Sequence, residues 1–203
     1  MAVQFKRKGM LLIVSGPSGT GKGTLVKKLM DSDPSFRFSC SVTTRKPRVG
    51  EREGVDYEFV SMETIDKYVQ EDAFLEHAVV HGNKYGTLKK PVEELMEMGY
   101  NVVLDIDTQG AIGVMEKADD YVSVFILPPT FEDLRIRLHT RNTDDPVEIE
   151  RRLGNARIEV KKIDKYQYVV VNDSLELAFL QLQYIVNGEK QKTTRYFPHI
   201  ADC

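Results

Sequence analysis

Met10-Leu-Leu-Ile-Val-Ser-Gly16-Pro-Ser-Gly19-Thr-Gly21-Lys22-Gly23-Thr24 decides the fold. The opening apolar run predicts a buried strand, the four glycines leave a loop with little side-chain bulk, and Leu25, Val26 and Leu29 recur at helical spacing. In a strand, loop and helix so joined, N–H groups of the loop and helix start converge on one point. Glycine lets the main chain wrap an anion there without Cβ clashes. Gly16-x-x-x-x-Gly21-Lys22 has the spacing of a phosphate-binding P-loop, with Lys22 as the charge that reaches terminal phosphates. The pattern asks for Ser or Thr next; Gly23 stands there, so Thr24 is the candidate for supporting a metal-bound phosphate.

Working outward, Asp33-Pro34 ends the first helical pattern, because proline lacks a donor and pushes its predecessor out of the α region. From Phe36 to about Thr87, short alternating runs (Phe38 to Thr44, Tyr57 to Val60) and glycines at 50, 54, 82 and 86 predict a small subdomain. Within it Ser61 reads as the N-cap of a helix through Ile65, Tyr68 and Val69, with Glu63 in the first turn. A helix from Pro91 to Met98 closed by Gly99 follows, then an apolar run from Asn101 ending in Asp105-Ile-Asp107 and a short helix from Ala111 to Lys117. Tyr121 to Leu127 is a strand stopped by Pro128-Pro129, and Thr130 caps a helix through Leu134 and Leu138. After a break at Arg141 to Pro146 come a charged helix over 148–162, a strand at Tyr168 to Val171 and a helix from Leu175 to Val186 ended by Gly188. Apolar strands separated by helices predict an α/β fold: a mostly parallel sheet covered on both faces. Lys190 to Cys203 carries no assignable element, and Lys6-Arg7-Lys8 reads as a solvated basic tail.

A chain of 203 residues, 41% hydrophobic, supports one core carrying inserted segments. Its net charge of −3 gives no general attraction to nucleic acid or anionic membrane, so phosphate binding must come from local basic clusters. Cys40 and Cys203 lie too far apart for a disulfide framework or a thiolate metal site, and no apolar run suits a signal peptide or membrane span. The expectation is a cytoplasmic protein with neither nucleic acid nor membrane as partner. The four histidines lack metal-ligand spacing and no serine sits in a G-x-S-x-G elbow, so zinc and hydrolase readings have no support.

Three clusters carry candidate chemistry. Asp105 and Asp107 are two apart at a strand end, so both are expected on one face; one can orient hydrated Mg²⁺ and the other face a substrate. The alternative is that one of them only caps the helix near Gly110. Arg45 and Arg48, in a loop fixed by Pro47 and glycines, look like a phosphate clamp, against the alternative of a solvated basic loop. Arg135, Arg137, Arg141, Arg151, Arg152 and Arg157 bracket the loop Asn142 to Pro146. They suit a lid that closes over transferring phosphate, or else a helix laced to Glu148, Glu150 and Glu159.

Taken in order, the glycine loop with Ser41-Val-Thr-Thr-Arg45-Lys-Pro-Arg48, Gly54-Val-Asp-Tyr57, Gly82-Asn-Lys-Tyr85-Gly-Thr87 and Leu104-Asp-Ile-Asp-Thr-Gln-Gly110 resembles guanylate kinase. The resemblance spans roughly residues 10 to 188. It implies a P-loop nucleoside monophosphate kinase fold: a parallel sheet core flanked by helices, an inserted small mixed α/β GMP-binding subdomain and a helical lid. Its implied boundaries are 1–37 core, 38–90 GMP-binding subdomain, 91–134 core, 135–157 lid, and 158–203 core and tail. It implies phosphoryl transfer from ATP to GMP with Mg²⁺, these nucleotides being the partners of a monomer or homodimer. By position, Gly16, Pro17, Ser18, Gly19, Thr20, Gly21, Lys22, Gly23, Thr24 and Asn172 would bind ATP. Ser41, Arg45, Arg48, Tyr57, Glu76, Tyr85, Thr87 and Asp105 would form the GMP site. Lys22, Arg45, Arg137, Arg141 and Arg152 would be catalytic, with Thr24 and Asp107 reaching the metal through water. Guanine offers donors at N1 and N2 and an acceptor at O6, so a carboxylate and hydroxyls suit it, whereas adenine would set an acceptor against Glu76. Lys22 and the arginines argue against a scaffold module that has lost nucleotide chemistry, Glu76 with Asp105 against another nucleoside monophosphate, and the lack of N-K-x-D against a GTPase.

Overall fold

The structure is a computed structural model of the chain, describing residues 5–55, 57–80, 82–140 and 145–198. Its central sheet is built from β2 (Leu11–Ser15), β3 (Phe36–Phe38), β8 (Asn101–Asp105), β9 (Val122–Leu127) and β10 (Tyr168–Val171). They run in the order β10-β9-β2-β8-β3, every neighbouring pair parallel. Parallel strands leave all their carboxyl ends on one edge, so the segments after Ser15, Asp105, Leu127 and Val171 open side by side.

The middle strand β2 is buried along its whole length, and its residues alternate between two cores. Leu12 and Val14 pack with Leu25, Val26 and Leu29 of α1 (Lys22–Ser32) and Ala178, Leu182 and Val186 of α7 (Leu175–Lys190). Leu11 and Ile13 pack on the other face with Val92 and Met96 of α3 (Lys89–Glu97), Ala111 and Val114 of α4 (Thr108–Lys117), and Phe125 and Tyr166.

A second sheet lies between β3 and α3: β4 (Val42–Thr43), β5 (Glu58–Phe59), β6 (Phe74–Val80) and β7 (Asn83–Leu88), with α2 (Met62–Gln70) beside them. Its order is β5-β4-β7-β6, parallel between β4 and β5 and antiparallel elsewhere, over a small core of Val42, Ile65 and Phe74. As the spacing predicts, Ser61 caps α2, its hydroxyl accepting from the Thr64 N–H at 3.2 Å. Helices α5 (Phe131–Thr140) and α6 (Pro146–Val160) share a third core of Leu134, Leu138, Ile149, Leu153 and Ala156. The Asp133 N–H donates to the Thr130 hydroxyl at 3.0 Å and the Glu148 N–H to Asp145 at 2.9 Å, so both helix starts are capped. Arg141 falls outside the described residues, as do Cys203 and the N-terminal four.

Several elements differ from the sequence reading, among them the hairpin β6–β7, which it did not name, and α6, which starts two residues early. Helix α3 begins at Lys89, ahead of Pro91, which is tolerated because first-turn N–H groups need no helical partner. Helix α4 begins at Thr108, since Asp107 caps it. Helix α7 passes through Gly188 to Lys190, because Glu189 is fixed by Tyr168 and Arg195, both bonded at 2.5 Å. The basic N-terminus and the unassigned tail are a sheet: β1 (Phe5–Arg7) pairs antiparallel with β11 (Tyr196–Pro198), and the Arg7 guanidinium lies 5.1 Å from the Tyr196 ring. Pairing between strands of three residues at opposite chain ends leaves no periodicity to read.

Candidate active site

The glycine loop sits flush against the sheet edge. Gly16 has φ +136° and a Cβ there would stand 2.3 Å from the Ile126 carbonyl oxygen; Gly21 has φ +90° and a Cβ would stand 2.4 Å from Asn172 Nδ2. Both positions therefore demand glycine for conformation and for space. Asn172, just past β10, donates from Nδ2 to the Thr20 carbonyl at 2.8 Å, and its own carbonyl accepts from Arg137 at 2.8 Å. Predicted at the ATP site, it is buried and braces the loop from beneath while tying Arg137 of α5 to the core.

Lys22 opens α1 and folds back over the loop, donating to the carbonyls of Gly16 at 2.6 Å and Pro17 at 3.0 Å. Ser18 is exposed at the loop tip, the Thr20 hydroxyl donates to the Pro17 carbonyl at 2.9 Å, and Thr24 is exposed in the first turn of α1. A Cβ on Gly23 would lie 3.4 Å from Asp105 Oδ2, so the last residue of β8 faces the start of α1. Burial pushes the Asp105 carboxyl above its ordinary range, and Lys22 pulls it back part of the way.

The expectation that Asp105 and Asp107 share a strand face is corrected, because β8 stops at Asp105 and Asp107 leaves the alternation. Asp107 Oδ1 accepts from the Gly110 N–H at 2.8 Å and caps α4. A Cβ on Gly110 would lie 3.5 Å from both Asp107 Oδ1 and Glu76 Oε2, which places this turn against the second sheet.

On that sheet the pairing Glu76↔Thr87 aligns a carboxylate with a hydroxyl, and Thr87 donates to Glu76 Oε1 at 2.9 Å. The Ser41 hydroxyl lies 3.3 Å from that of Thr87. Burial, and secondarily the charge of Asp107, raise the Glu76 carboxyl above its ordinary range despite the Thr87 hydrogen bond. A few residues away Arg45 makes a fork with Glu51 at 2.8 and 3.0 Å, and its guanidinium stands 5.4 Å from the Tyr57 ring. Tyr57 and Tyr85 meet edge to face at 6.0 Å, and Glu51 followed by Tyr85 favours the charged form of Arg45. Arg48 has its N–H on Glu51 Oε2 at 2.7 Å and its side chain exposed. Glu51 was absent from the sequence reading; an acid closing the Pro47 to Gly50 turn six residues after Arg45 is the signal that finds it.

Three of the described arginines of α5 and α6 are laced to acids in the way the alternative reading expected, whereas Arg137 bonds the Asn172 carbonyl and Arg157 lies 5.4 Å from the Phe131 ring. Arg135 pairs with Glu150, while Arg151 at 2.6 Å and Arg152 at 3.2 Å converge on Glu148, holding its carboxyl down to about 2. Among the described residues no three His, Cys, Asp or Glu side chains are grouped to hold a metal ion, and no helix is long and apolar enough to cross a membrane.

The guanylate kinase family model matches residues 8–189. A guanylate kinase of Neisseria meningitidis is 46% identical over 196 residues, covering 97% of this chain and 96% of its own length. One from Clostridium perfringens is 45% identical over 193 residues, covering 95% and 89%. The crystal structure of guanylate kinase from Anaplasma phagocytophilum superimposes with a TM-score of 0.72 at 35% identity, covering 95% of this chain and 92% of that one. With the family model, these relatives and the solved structure in agreement over nearly its whole length, the chain belongs to the guanylate kinase family.

Proposed function

We propose that the protein transfers the γ-phosphoryl group of ATP to GMP, giving ADP and GDP, with ATP on the glycine loop and GMP between Glu76 and Arg45. The observation that carries this reading is the short link after β8: Asp105 faces Gly23 of the loop, and Gly110 with Asp107 faces Glu76. Two nucleotides held on either side of that link have their phosphates directed at each other.

For the acceptor, Glu76 takes the N1 and N2 protons of guanine while Thr87 and Ser41 donate to O6; adenine offers no such pattern. Thr87 gives its hydrogen to Glu76 in the structure, so guanine binding replaces one donor to the carboxylate and frees another for O6. Arg45, held in plane by Glu51, takes the GMP phosphate with Arg48, Tyr57 and Tyr85. A phosphate monoester with its second pKa near 6 is about fully dianionic at neutral pH, so no general base is needed. Catalysis then rests on alignment and charge neutralisation by Lys22, Arg45, Arg137, Arg141 and Arg152. Lys22 exchanges the Gly16 and Pro17 carbonyls for phosphate oxygens. The donor set suits hydrated Mg²⁺ arriving with ATP, since the oxygens of Asp105 and Thr24 beside the loop are hard ligands and Asp107, across the link, would reach the ion through water. When bound, the ion offsets the charge of the β- and γ-phosphates.

The same reading makes residues 38–90 the GMP-binding subdomain and 135–157 the lid, each supported by a core of its own. It places a monomer or homodimer in the cytoplasm, recycling GMP in purine nucleotide metabolism. The test is a coupled assay of ADP formation from ATP with GMP, AMP, CMP or UMP. GMP is expected to be the one efficient acceptor, and an enzyme that consumes no ATP with GMP overturns the proposal.

A further inference from the structure

Ser15, Thr108 and Tyr166 are 0%, 2% and 8% exposed, and among the described residues none of their hydroxyl oxygens has a partner at full hydrogen-bond geometry. They belong together: the Tyr166 hydroxyl faces those of Ser15 and Thr108, with the carboxylates of Glu159 and Asp107 near enough to act on it. The Tyr166 ring is held edge-on to Phe125 at 4.8 Å, so the hydroxyl cannot swing away to solvent. Protein interiors almost never leave three such groups unpaired, and a single water, with two donors and two acceptors, satisfies all three at once.

Their positions in the chain give the cluster its interest. Ser15 ends β2 and directly precedes Gly16 of the loop. Thr108 opens α4, next to the capping Asp107 and two residues before Gly110, which faces Glu76. Tyr166 follows the short turn Ile163–Lys165 that leaves α6, the second helix of the hairpin bearing Arg152. The roots of the ATP loop, the guanine-side turn and the hairpin meet at these three oxygens.

We propose that the three hydroxyls enclose one bound water, and that Tyr166 acts through it as a positioning residue, keeping the glycine loop in register with the Asp107 to Gly110 turn. The inference rests on the phosphotransfer reading above and extends it to residues that touch neither nucleotide. Tyr166 donates to the water, the water bridges Ser15 to Thr108, and burial first, then the charges of Glu159 and Asp107, keep the phenol protonated so that it can donate.

Tyr166→Phe keeps the ring on Phe125 and removes only the hydroxyl. Its melting temperature is expected to stay within a few degrees of wild type and both KM values within about twofold, while kcat falls about tenfold. Ser15→Ala is expected to lower kcat alike, and the double variant to be no slower than the slower single one. An unchanged kcat in Tyr166→Phe, or losses that multiply in the double variant, overturns the proposal. Should Tyr166→Phe fail to fold, Ser15→Ala and crystallography decide. Crystals of the wild type are expected to show a water bonded to at least two of the three hydroxyls, and a dry pocket overturns the proposal whatever the enzyme's substrate. A wild type inactive with GMP would instead sink the functional reading and leave the crystallographic test standing.

Discussion

On the proposed reading base choice turns on Glu76, whose carboxylate is half-buried yet must be ionised to accept from guanine. With its carboxyl raised by burial and then by Asp107, protonation begins at a higher pH than for a solvated glutamate. GMP affinity is therefore full above that raised value and lost as pH falls through it; KM for GMP is expected to climb on acidification from a higher pH than a solvated glutamate would give, with little change for ATP. Glu76→Gln removes that climb, lowers kcat/KM for GMP about 10- to 100-fold and narrows the margin over AMP. A variant that still prefers GMP as strongly as wild type in steady-state assays would take Glu76 out of this role. Lys22 divides the site the other way: Lys22→Ala is expected to cut turnover by about 10² to 10³ and leave GMP affinity, by calorimetry, within about threefold. Lys22 was readable from the spacing of the glycine loop, whereas Glu76 came only from the resemblance to guanylate kinase. Glu51 and Tyr166 were found by neither route, and Asn172 was expected at the ATP site but not as the brace of Thr20, since each works on a neighbour distant in sequence or across a turn, and spacing does not report such contacts.

At the scale of elements, the loop is shaped by what lies under it. Gly21→Ala puts a methyl group 2.4 Å from the amide that braces Thr20 and forces a side chain to φ +90°. It is expected to cost about 2 kcal/mol or more in denaturant unfolding and to weaken ATP binding with it. Helix α4 offers a cleaner separation of cap from charge. Asp107→Ala loses the cap and about 1 kcal/mol, whereas Asp107→Asn keeps a capping oxygen and removes the negative charge acting on Glu76. The asparagine variant is expected to shift the rise in KM for GMP to lower pH with little change in stability; an unmoved profile would mean that burial alone raises Glu76. Most helix starts were legible because Ser61, Thr130 and the residues before Pro146 are local signals. Helix α7 overran its glycine because a packed glutamate outweighs the roughly 1 kcal/mol cost of glycine in a helix.

For the molecule as a whole, the edge of the sheet opposite the glycine loop is closed by the chain's two ends. Arg195, 3% exposed, pairs with Glu189, 2% exposed, at 2.5 Å and with Asp120, under the strand pair that joins N-terminus to tail. Although burial opposes it, hydrogen bonds from Lys192, Tyr168 and Arg195 hold the Glu189 carboxyl below its ordinary range. Arg195→Ala leaves Glu189 to Lys192 and Tyr168 alone and is expected to cost about 1–3 kcal/mol, a fall in melting temperature of about 5 °C, with both KM values unchanged. The sequence by itself determined the strand, loop and helix at the centre and the α/β alternation, and it supplied the residue types of the two proposed nucleotide sites. Those depend on periodicity, caps and short-range spacing, which are properties of neighbouring residues. Only the tertiary structure decided that Asp107 caps while Asp105 faces the loop, that Asn172 supports the phosphate cradle, that β1 and β11 pair, and that three hydroxyls meet beneath the site. Each of these joins residues far apart in the chain through register and burial, and such contacts exist only once the sheets have assembled.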